Sequence, residues 1–223
     1  MKRLALLSFL ALLAPALAYS QPLANPKFID LVRTGTAAQV EAAIKAGENV
    51  NGHDRHGITL LMFAVAYNSD AAVTKTLLSA GANVQARDEI GDTPLMWAAA
   101  GNSNPEVIKL LLAAGAHVSE RNYLGDTALM WAAGVLGGNP HPEITKLLIQ
   151  DGAQINARND LGMTPLILAA RSNQDPAVVA ALLAAGADPA LKSSEGLTAY
   201  QYASENFSFT GSPVLKQLEA AAP

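Results

Sequence analysis

Blocks of apolar and polar residues alternate along this chain, and the order of the blocks repeats. Between residues 54 and 192 each unit has a polar turn ending in glycine, an alanine-rich apolar run, a break rich in Asn or Ser, and a second apolar run with paired leucines. The two apolar runs predict two short helices per unit. Helices this short are marginal in water on their own, so we expect each unit to bury its apolar faces against its neighbours.

The glycine that ends the polar turn sets the period. It recurs at spacings of 34, 34, 37 and 34 residues, as Gly57, Gly91, Gly125, Gly162 and Gly196. The stretch GDTPLMWAAA at 91–100 is nearly repeated as GDTALMWAAG at 125–134. A fixed period in this range indicates a stacked repeat protein, because every unit must present the same surface to the next one.

Proline and glycine mark the predicted helix ends. The pairs Thr93-Pro94 and Thr164-Pro165 predict the start of the first helix of a unit, because proline at the first helical position loses no hydrogen bond. The second helix is predicted to start at Asn104-Pro105 and Asp175-Pro176, with Asn or Asp as the N-cap. It is predicted to end at a glycine able to adopt the left-handed conformation, at Gly81, Gly115, Gly152 and Gly186.

The residues DEIGDTPLMWAA…PEVIKLLLAAGAHV resemble the ankyrin repeat, with its D-x-x-G-x-T-P-L-H-x-A-A pattern, leucine-paired second helix and closing G-A-D-V-N-A. The resemblance covers residues 54–191 strongly and implies an all-α ankyrin-repeat solenoid of helix–loop–helix units with β-turn fingers, about six repeats including degenerate caps. In place of the usual His this chain has Met62, Met96, Met130 and Ile167. The implied divisions are an N-capping repeat at 27–53, repeats at 54–87, 88–121, 122–158 (with a longer inter-helix loop) and 159–192, and a C-capping repeat at 193–223.

The first residues have the pattern of a secretory signal peptide. Lys2 and Arg3 precede an apolar run, and Ala16-Leu17-Ala18 forms a small-residue cleavage site, which predicts a signal peptide at 1–18 and a flexible N-terminus at 19–26. The apolar run is too short for a membrane span, so we expect no membrane insertion after signal removal. We therefore expect export across the inner membrane, to a bacterial periplasm. The chain has no cysteine, so it has neither disulfides nor thiolate metal ligands.

The charge balance argues against nucleic acid as a partner. The chain has 15 basic and 19 acidic residues, and the signal peptide takes two of the basic ones with it. An acidic protein is repelled by phosphate backbones. We expect a protein partner instead.

The resemblance implies a binding surface made of finger residues and the exposed ends of the first helices, which line a concave face. The implied partner-binding residues are Arg55, His56, Ile58, Tyr67, Glu89, Ile90, Asp92, Asn102, Tyr123, Leu124, Asp126, Val135, Asp160, Leu161, Met163 and Arg171.

Two rows of equivalent residues bear on that surface. Ile90, Leu124 and Leu161 occupy the same tip position, and aligned apolar residues on exposed turns indicate a contact surface; the alternative is that the tips pack on each other. A second row carries one basic residue per unit, for which we favour ion pairing with a nearby Asp over partner contact; it comprises His53, Arg87, Arg121, Arg158 and Lys192.

Trp97 and Trp131 occupy equivalent helix positions, where Phe63 and Leu168 stand in flanking units. We favour packing between repeats over a recognition role for both tryptophans. The methionines are likewise assigned to packing ahead of metal binding.

Catalysis finds little support in the sequence. It contains no G-x-S-x-G, H-E-x-x-H or phosphate-loop motif. We therefore expect no catalytic site and no cofactor. His53 and His56 are the one close histidine pair, a weak metal-binding signal. The favoured function is an exported, non-catalytic protein-binding module. The alternative is a periplasmic metal- or oxidative-stress-related accessory factor, since exported bacterial ankyrin proteins of this type are sometimes associated with a catalase.

Overall fold

A computed structural model describes residues 23–221, apart from the side chain of Leu136. The predicted signal peptide at 1–18 lies outside the described residues, as do residues 19–22 and 222–223. Within the described part the chain forms twelve α-helices and two short 3-10 helices. The α-helices are α1 (Pro26–Thr34), α2 (Ala37–Lys45), α3 (Leu60–Tyr67), α4 (Ala71–Ser79), α5 (Pro94–Gly101), α6 (Pro105–Ala113), α7 (Ala128–Ala133), α8 (Pro142–Gln150), α9 (Pro165–Ser172), α10 (Pro176–Ala184), α11 (Ala199–Glu205) and α12 (Pro213–Ala220).

The helix ends fall where the local signals predicted them. Thr93 and Thr164 cap α5 and α9, each accepting a hydrogen bond from the backbone N–H three residues on. Asn104 and Asp175 cap α6 and α10, and a proline fills the first position of all four helices. The glycines after the outer helices have φ between 88° and 93°, at Gly81, Gly115, Gly152 and Gly186. The predicted starts and stops are confirmed.

The helices form two rows. The inner row is α1, α3, α5, α7, α9 and α11, and the outer row is α2, α4, α6, α8, α10 and α12. Neighbouring helices pack more closely in the inner row, where buried alanines such as Ala98, Ala99, Ala132 and Ala133 allow close approach. The core runs between the rows along the whole array, with each unit packed on the next. This confirms the predicted all-α repeat solenoid.

The repeat at 122–158 is three residues longer than its neighbours, and the extra residues lie at the end of its inner helix. α7 has six residues where α5 has eight, and a 3-10 turn at Val135–Gly137 follows it. A Cβ on Gly134 would stand 2.1 Å from the carbonyl oxygen of Leu168, so α7 and α9 touch through their backbones here. Gly138 has a φ of 72°, and after it the chain resumes the conformation of the other repeats at Asn139.

A row of asparagines joins the units at the turns between inner and outer helices. The amide of Asn102 donates to the carbonyls of Val65 (2.7 Å) and Asn68 (3.2 Å) in the preceding unit, and its oxygen accepts from the Asn104 N–H. The amides of Asn68, Asn173 and Asn206 likewise each donate to two carbonyls of the preceding unit, and the amide of Asn139 donates to the Asn102 carbonyl. Asn102 was predicted to face a partner. That prediction is wrong, because the residue is 2% exposed and its hydrogen-bonding groups hold two units together.

The N-terminal segment is hydrogen-bonded to His53, the residue before the first turn of the repeats. In the part expected to be flexible, the Ala24 N–H donates to the His53 carbonyl (2.8 Å) and Asn25 caps α1. Within residues 23–221 no helix has the length and apolar character needed to cross a membrane.

Candidate protein-binding surface

Five turns, the fingers, connect each outer helix to the next inner helix; they span residues 54–58, 88–92, 122–126, 159–163 and 193–197. The first side chain of a finger stabilises the turn by accepting hydrogen bonds from backbone N–H groups within it. Asn122 Oδ1 accepts from the N–H groups of Leu124 (3.0 Å) and Asp126 (2.8 Å), and Asp88 Oδ1 does the same two and four residues on. The fourth finger residue is a glycine with positive φ, for example 77° at Gly125. Each finger is therefore a small, internally bonded loop.

Backbone hydrogen bonds connect successive fingers. The N–H groups of Glu89, Tyr123, Asp160 and Ser194 donate to the carbonyls of His56, Ile90, Leu124 and Leu161, at 3.0 to 3.1 Å. This finger ladder involves peptide groups alone. The tip side chains therefore take no part in holding the fingers together through these bonds.

The exposed tip surface is smaller than the sequence predicted. Leu124 is 45% exposed, and Tyr123 and Leu161 are each 62% exposed. Ile90 is only half-buried and contributes less than expected. The ring of Tyr123 lies over Gly91, where an added Cβ would stand 3.0 Å from it.

The other predicted contact residues fall into two groups. Arg55, Tyr67, Glu89, Asp160 and Arg171 are exposed, and His56, Ile58 and Val135 are half-buried. Two of the exposed residues stack with neighbours on the inner helices. The guanidinium of Arg33 lies 4.7 Å from the Tyr67 ring centre, and that of Arg171 lies 5.9 Å from the Tyr202 ring centre.

Three further predictions of partner contact are wrong, because the side chains are buried. Asp92 and Asp126 are 0% and 5% exposed, and each accepts a 2.7 Å hydrogen bond from the amide of the next finger, from Asn122 and Asn159. Met163 is 3% exposed and belongs to the core. The turn carries these side chains inward beneath the tips.

Burial gives the fingers a row of acids with raised pKa values. Desolvation raises the pKa of Asp92 to about 7, although the hydrogen bond from Asn122 opposes the rise. Desolvation likewise raises the pKa of Asp88 and of Asp126. These three carboxyl groups are not used on the exposed surface.

The three arginines of the basic row form no ion pair with an aspartate within residues 23–221. Arg87 donates to the carbonyls of Gly91 and Arg121, and Arg121 donates to those of Gly125 and Arg158, at 2.7 to 3.0 Å. Arg158 donates to the Lys192 carbonyl (2.7 Å). Arg87 forms an ion pair with Glu120, not with an aspartate. For these arginines the predicted ion pairs with Asp are not formed, although the charges of Arg87 and Arg121 oppose the rise in the pKa of Asp92 and Asp126. The arginine side chains instead connect one finger to the base of the next.

The two tryptophans differ in their surroundings. Trp131 is 6% exposed and packs in the core, as predicted. Trp97 is half-buried, and its indole Nε1 donates to Asp88 Oδ2 at 3.0 Å. Asn122 occupies the place of Asp88 in the finger before Trp131, and its amide is already donated to Asp92. Trp131 Nε1 consequently has no hydrogen-bond partner among the described residues.

The close histidine pair is divided between two environments. His53 is buried, with Nδ1 2.6 Å from the Asp54 carbonyl, whereas His56 lies 2.9 Å from Glu89 Oε1 and accepts from Arg55 Nε at 3.0 Å. Within residues 23–221 no three His, Asp or Glu side chains stand together as a metal site would require.

The sequence reasoning missed the asparagine row and the buried acids. The asparagine row could have been predicted from the sequence, because Asn68, Asn102, Asn139 and Asn173 recur with the repeat period. The burial of the acids could not have been predicted, because a GDT sequence in a turn is equally compatible with an exposed Asp.

Comparison with known families matches the repeats. A family model described as ankyrin repeats (3 copies) matches residues 29–122, 61–159, 99–193 and 129–218, four overlapping ranges that together cover the helical array. Comparison with curated proteins gives no match.

Proposed function

This chain belongs to the ankyrin-repeat family, and from that premise we propose that it is a non-catalytic module that binds a partner protein through its finger tips and the adjoining concave face. Ankyrin repeats are generally protein-interaction modules. The fold supplies a frame, and the function depends on the side chains that the frame displays.

One observation carries the proposal: Tyr123, Leu124 and Leu161 are large, apolar and 45% to 62% exposed on two neighbouring fingers. Exposed apolar clusters of this kind are typical of interaction sites. The fingers are fixed by their internal hydrogen bonds and by the finger ladder. A surface fixed before binding loses little conformational entropy on association, which favours affinity.

A photo-crosslinking residue at position 124 or 161 of the mature chain tests the proposal. We expect both positions to capture the same partner protein, while a crosslinker at Lys146, on the outer helix α8, captures none of it. A titration with that partner then compares two variants. Leu124→Asp should weaken binding by about 2 kcal/mol or more, as at an interface hot spot. Phe207→Asp, which changes an apolar residue that is 93% exposed and lies away from the fingers, should leave affinity unchanged.

Melting curves of the same variants separate interface from finger packing. If Leu124→Asp strongly lowers the melting temperature and the folded fraction keeps full affinity, the leucine packs between fingers and the proposed surface is wrong.

We also propose that the module acts in a bacterial periplasm, on the strength of the signal-peptide pattern at 1–18. Mass spectrometry of periplasmic and cytosolic fractions tests this. Cleavage after Ala18 should leave Tyr19 as the first residue, and protein found only in the cytosol with Met1 retained would refute export.

A further inference from the structure

The cations beside the exposed tips differ in how far they are neutralised. Arg87 pairs with Glu120, the residue that precedes the next arginine of the row. The equivalent positions in the two following units hold Ala157 and Leu191, so no carboxylate stands there for Arg121 or Arg158. No ion pair within residues 23–221 involves Arg121, Arg158 or Lys192.

Three acids, Asp126, Asp160 and Glu195, lie in the same fingers as these cations. Asp126 is close enough to Arg121 to interact with it, but it is buried. Glu195 accepts a hydrogen bond from the Tyr202 hydroxyl (3.0 Å). Asp160 is exposed and lies over Gly125. The three cations are therefore exposed and outside the ion pairs of residues 23–221, with Asp160 and Glu195 as the exposed acids in the same fingers.

The two guanidinium groups are held in place next to the apolar tips. Arg121 Nη1 donates to Gly125, the residue after Leu124, and to the Arg158 carbonyl. Arg158 Nη2 would stand 2.7 Å from a Cβ on Gly162, the residue after Leu161, so its guanidinium lies against that finger. Each exposed leucine thus has a fixed cation at the base of its own finger. Arginine retains further N–H donors when one nitrogen is engaged, and its planar fork matches a carboxylate.

Given the proposed function, we infer that the partner presents an acidic segment in which Asp or Glu residues flank bulky apolar ones. The apolar side chains contact Tyr123, Leu124 and Leu161, and the carboxylates meet Arg121, Arg158 and Lys192. Charge complementarity of this kind selects the partner and accelerates association, and it makes binding weaken with salt.

Selection from a random peptide library against the mature chain tests the inference without knowledge of the natural partner. We expect the selected peptides to be enriched in Asp and Glu next to Leu, Ile, Phe or Tyr. The best peptide, synthesised with a fluorophore, should lose affinity by about tenfold or more in Lys192→Glu, an effect of the size seen for charge pairs at interfaces. Lys146→Glu makes the same charge change on the outer helix α8 and should have little effect.

Lys192 is the main variant because it contributes only backbone groups to the hydrogen bonds of residues 23–221. Arg121→Glu and Arg158→Glu also remove hydrogen bonds to the fingers, so each is compared with the parent by its melting curve before binding is measured. Raising the ionic strength to several times about 0.15 M should weaken the acidic peptide and leave Lys192→Glu less affected.

Three outcomes would overturn the inference. Neutral or basic peptides that need Leu124 would leave the proposed function standing and remove its acidic partner. Selected peptides that bind the Leu124→Asp variant as tightly as the parent chain would refute both the acidic partner and the proposed function. A short DNA duplex that binds through Lys192 and is indifferent to Leu124→Asp would assign the cations to nucleic acid.

Discussion

Asn122 donates its side-chain amide to Asp92 Oδ1 at 2.7 Å, across the boundary between two repeats. Asp92 is fully buried, and its Oδ2 has no hydrogen-bond partner among the described residues. Desolvation raises its pKa to about 7, with the Asp88 and Asp126 charges adding to the rise. The folded chain therefore holds this proton more tightly than the unfolded chain. The stability linked to Asp92 is fully present below about pH 4 and is lost as the pH rises to about 7.

Replacing Asp92 with Asn should stabilise the chain in a pH-dependent way. The amide keeps the size of the side chain and an oxygen for Asn122, and it removes the buried charge. We expect the free energy of unfolding in urea to increase by on the order of 2 kcal/mol at pH 8 and to change far less at pH 4. Asp160→Asn, an exposed acid on the next finger but one, serves as the control and should show little pH dependence. Equal gains for Asp92→Asn at both pH values would refute the assignment.

The two tryptophans should respond differently to phenylalanine. Trp97→Phe leaves Asp88 Oδ2 without its indole donor, and we expect a loss of about 1–3 kcal/mol. Trp131→Phe removes a buried N–H that has no partner among the described residues. Removing this unsatisfied donor is favourable, and it offsets part of the free energy lost with the smaller ring's packing. Urea unfolding followed by far-UV circular dichroism compares them directly. A larger loss for Trp131→Phe than for Trp97→Phe would contradict the hydrogen-bond argument.

Two buried hydroxyls in the outer row offer a stabilising substitution. Thr74 and Thr145 are 0% exposed, and their Oγ1 atoms have no hydrogen-bond partner among the described residues. Ile108 and Val179 occupy the equivalent position of α6 and α10. Thr145→Val keeps the shape and removes the hydroxyl, so the free energy of unfolding should rise by about 1 kcal/mol. Thr145→Ser keeps the hydroxyl and loses the methyl group, and it should be destabilising. If valine were no better than threonine, the hydroxyl would have a partner.

The asparagine row predicts a large effect from an isosteric change. Asn102→Asp loses the amide donated to Val65 and Asn68 and sets a carboxylate against their carbonyls. We expect a loss of about 3 kcal/mol or more at neutral pH, since a buried charge is left unpaired. Asn104→Asp, two residues away, retains a good N-cap for α6 and gives up one exposed bond to the Ser69 carbonyl, so its effect should be small. Similar melting temperatures for the two variants would sink the explanation.

The helix ends were predictable because their causes are local. Thr93 and Pro94 start α5 through groups within three residues, and Gly115 ends α6 through its own backbone conformation. The burial of Asp92 was not predictable, since it depends on Asn122, thirty positions further along the chain. The arginine contacts were hidden for a related reason: Arg121 donates to backbone carbonyls, and any residue can supply a carbonyl. Candidate contact residues could therefore be predicted from their position in the repeat. Whether each one is exposed could not, because its burial depends on side chains of the neighbouring repeat.

The finger ladder makes the array tolerant of recombination in steps of one unit. Its bonds join peptide groups, such as the Tyr123 N–H and the Ile90 carbonyl, and these are the same whatever side chains flank them. Deleting residues 88–121 would bring the finger at 122–126 directly after the one at 54–58, with the Tyr123 N–H facing the His56 carbonyl that Glu89 now uses. Unequal crossing-over between the near-identical GDTPLMWAA and GDTALMWAA segments would likewise remove one unit in a single genetic event, keeping Glu89 and losing Tyr123, with the remaining fingers still in step.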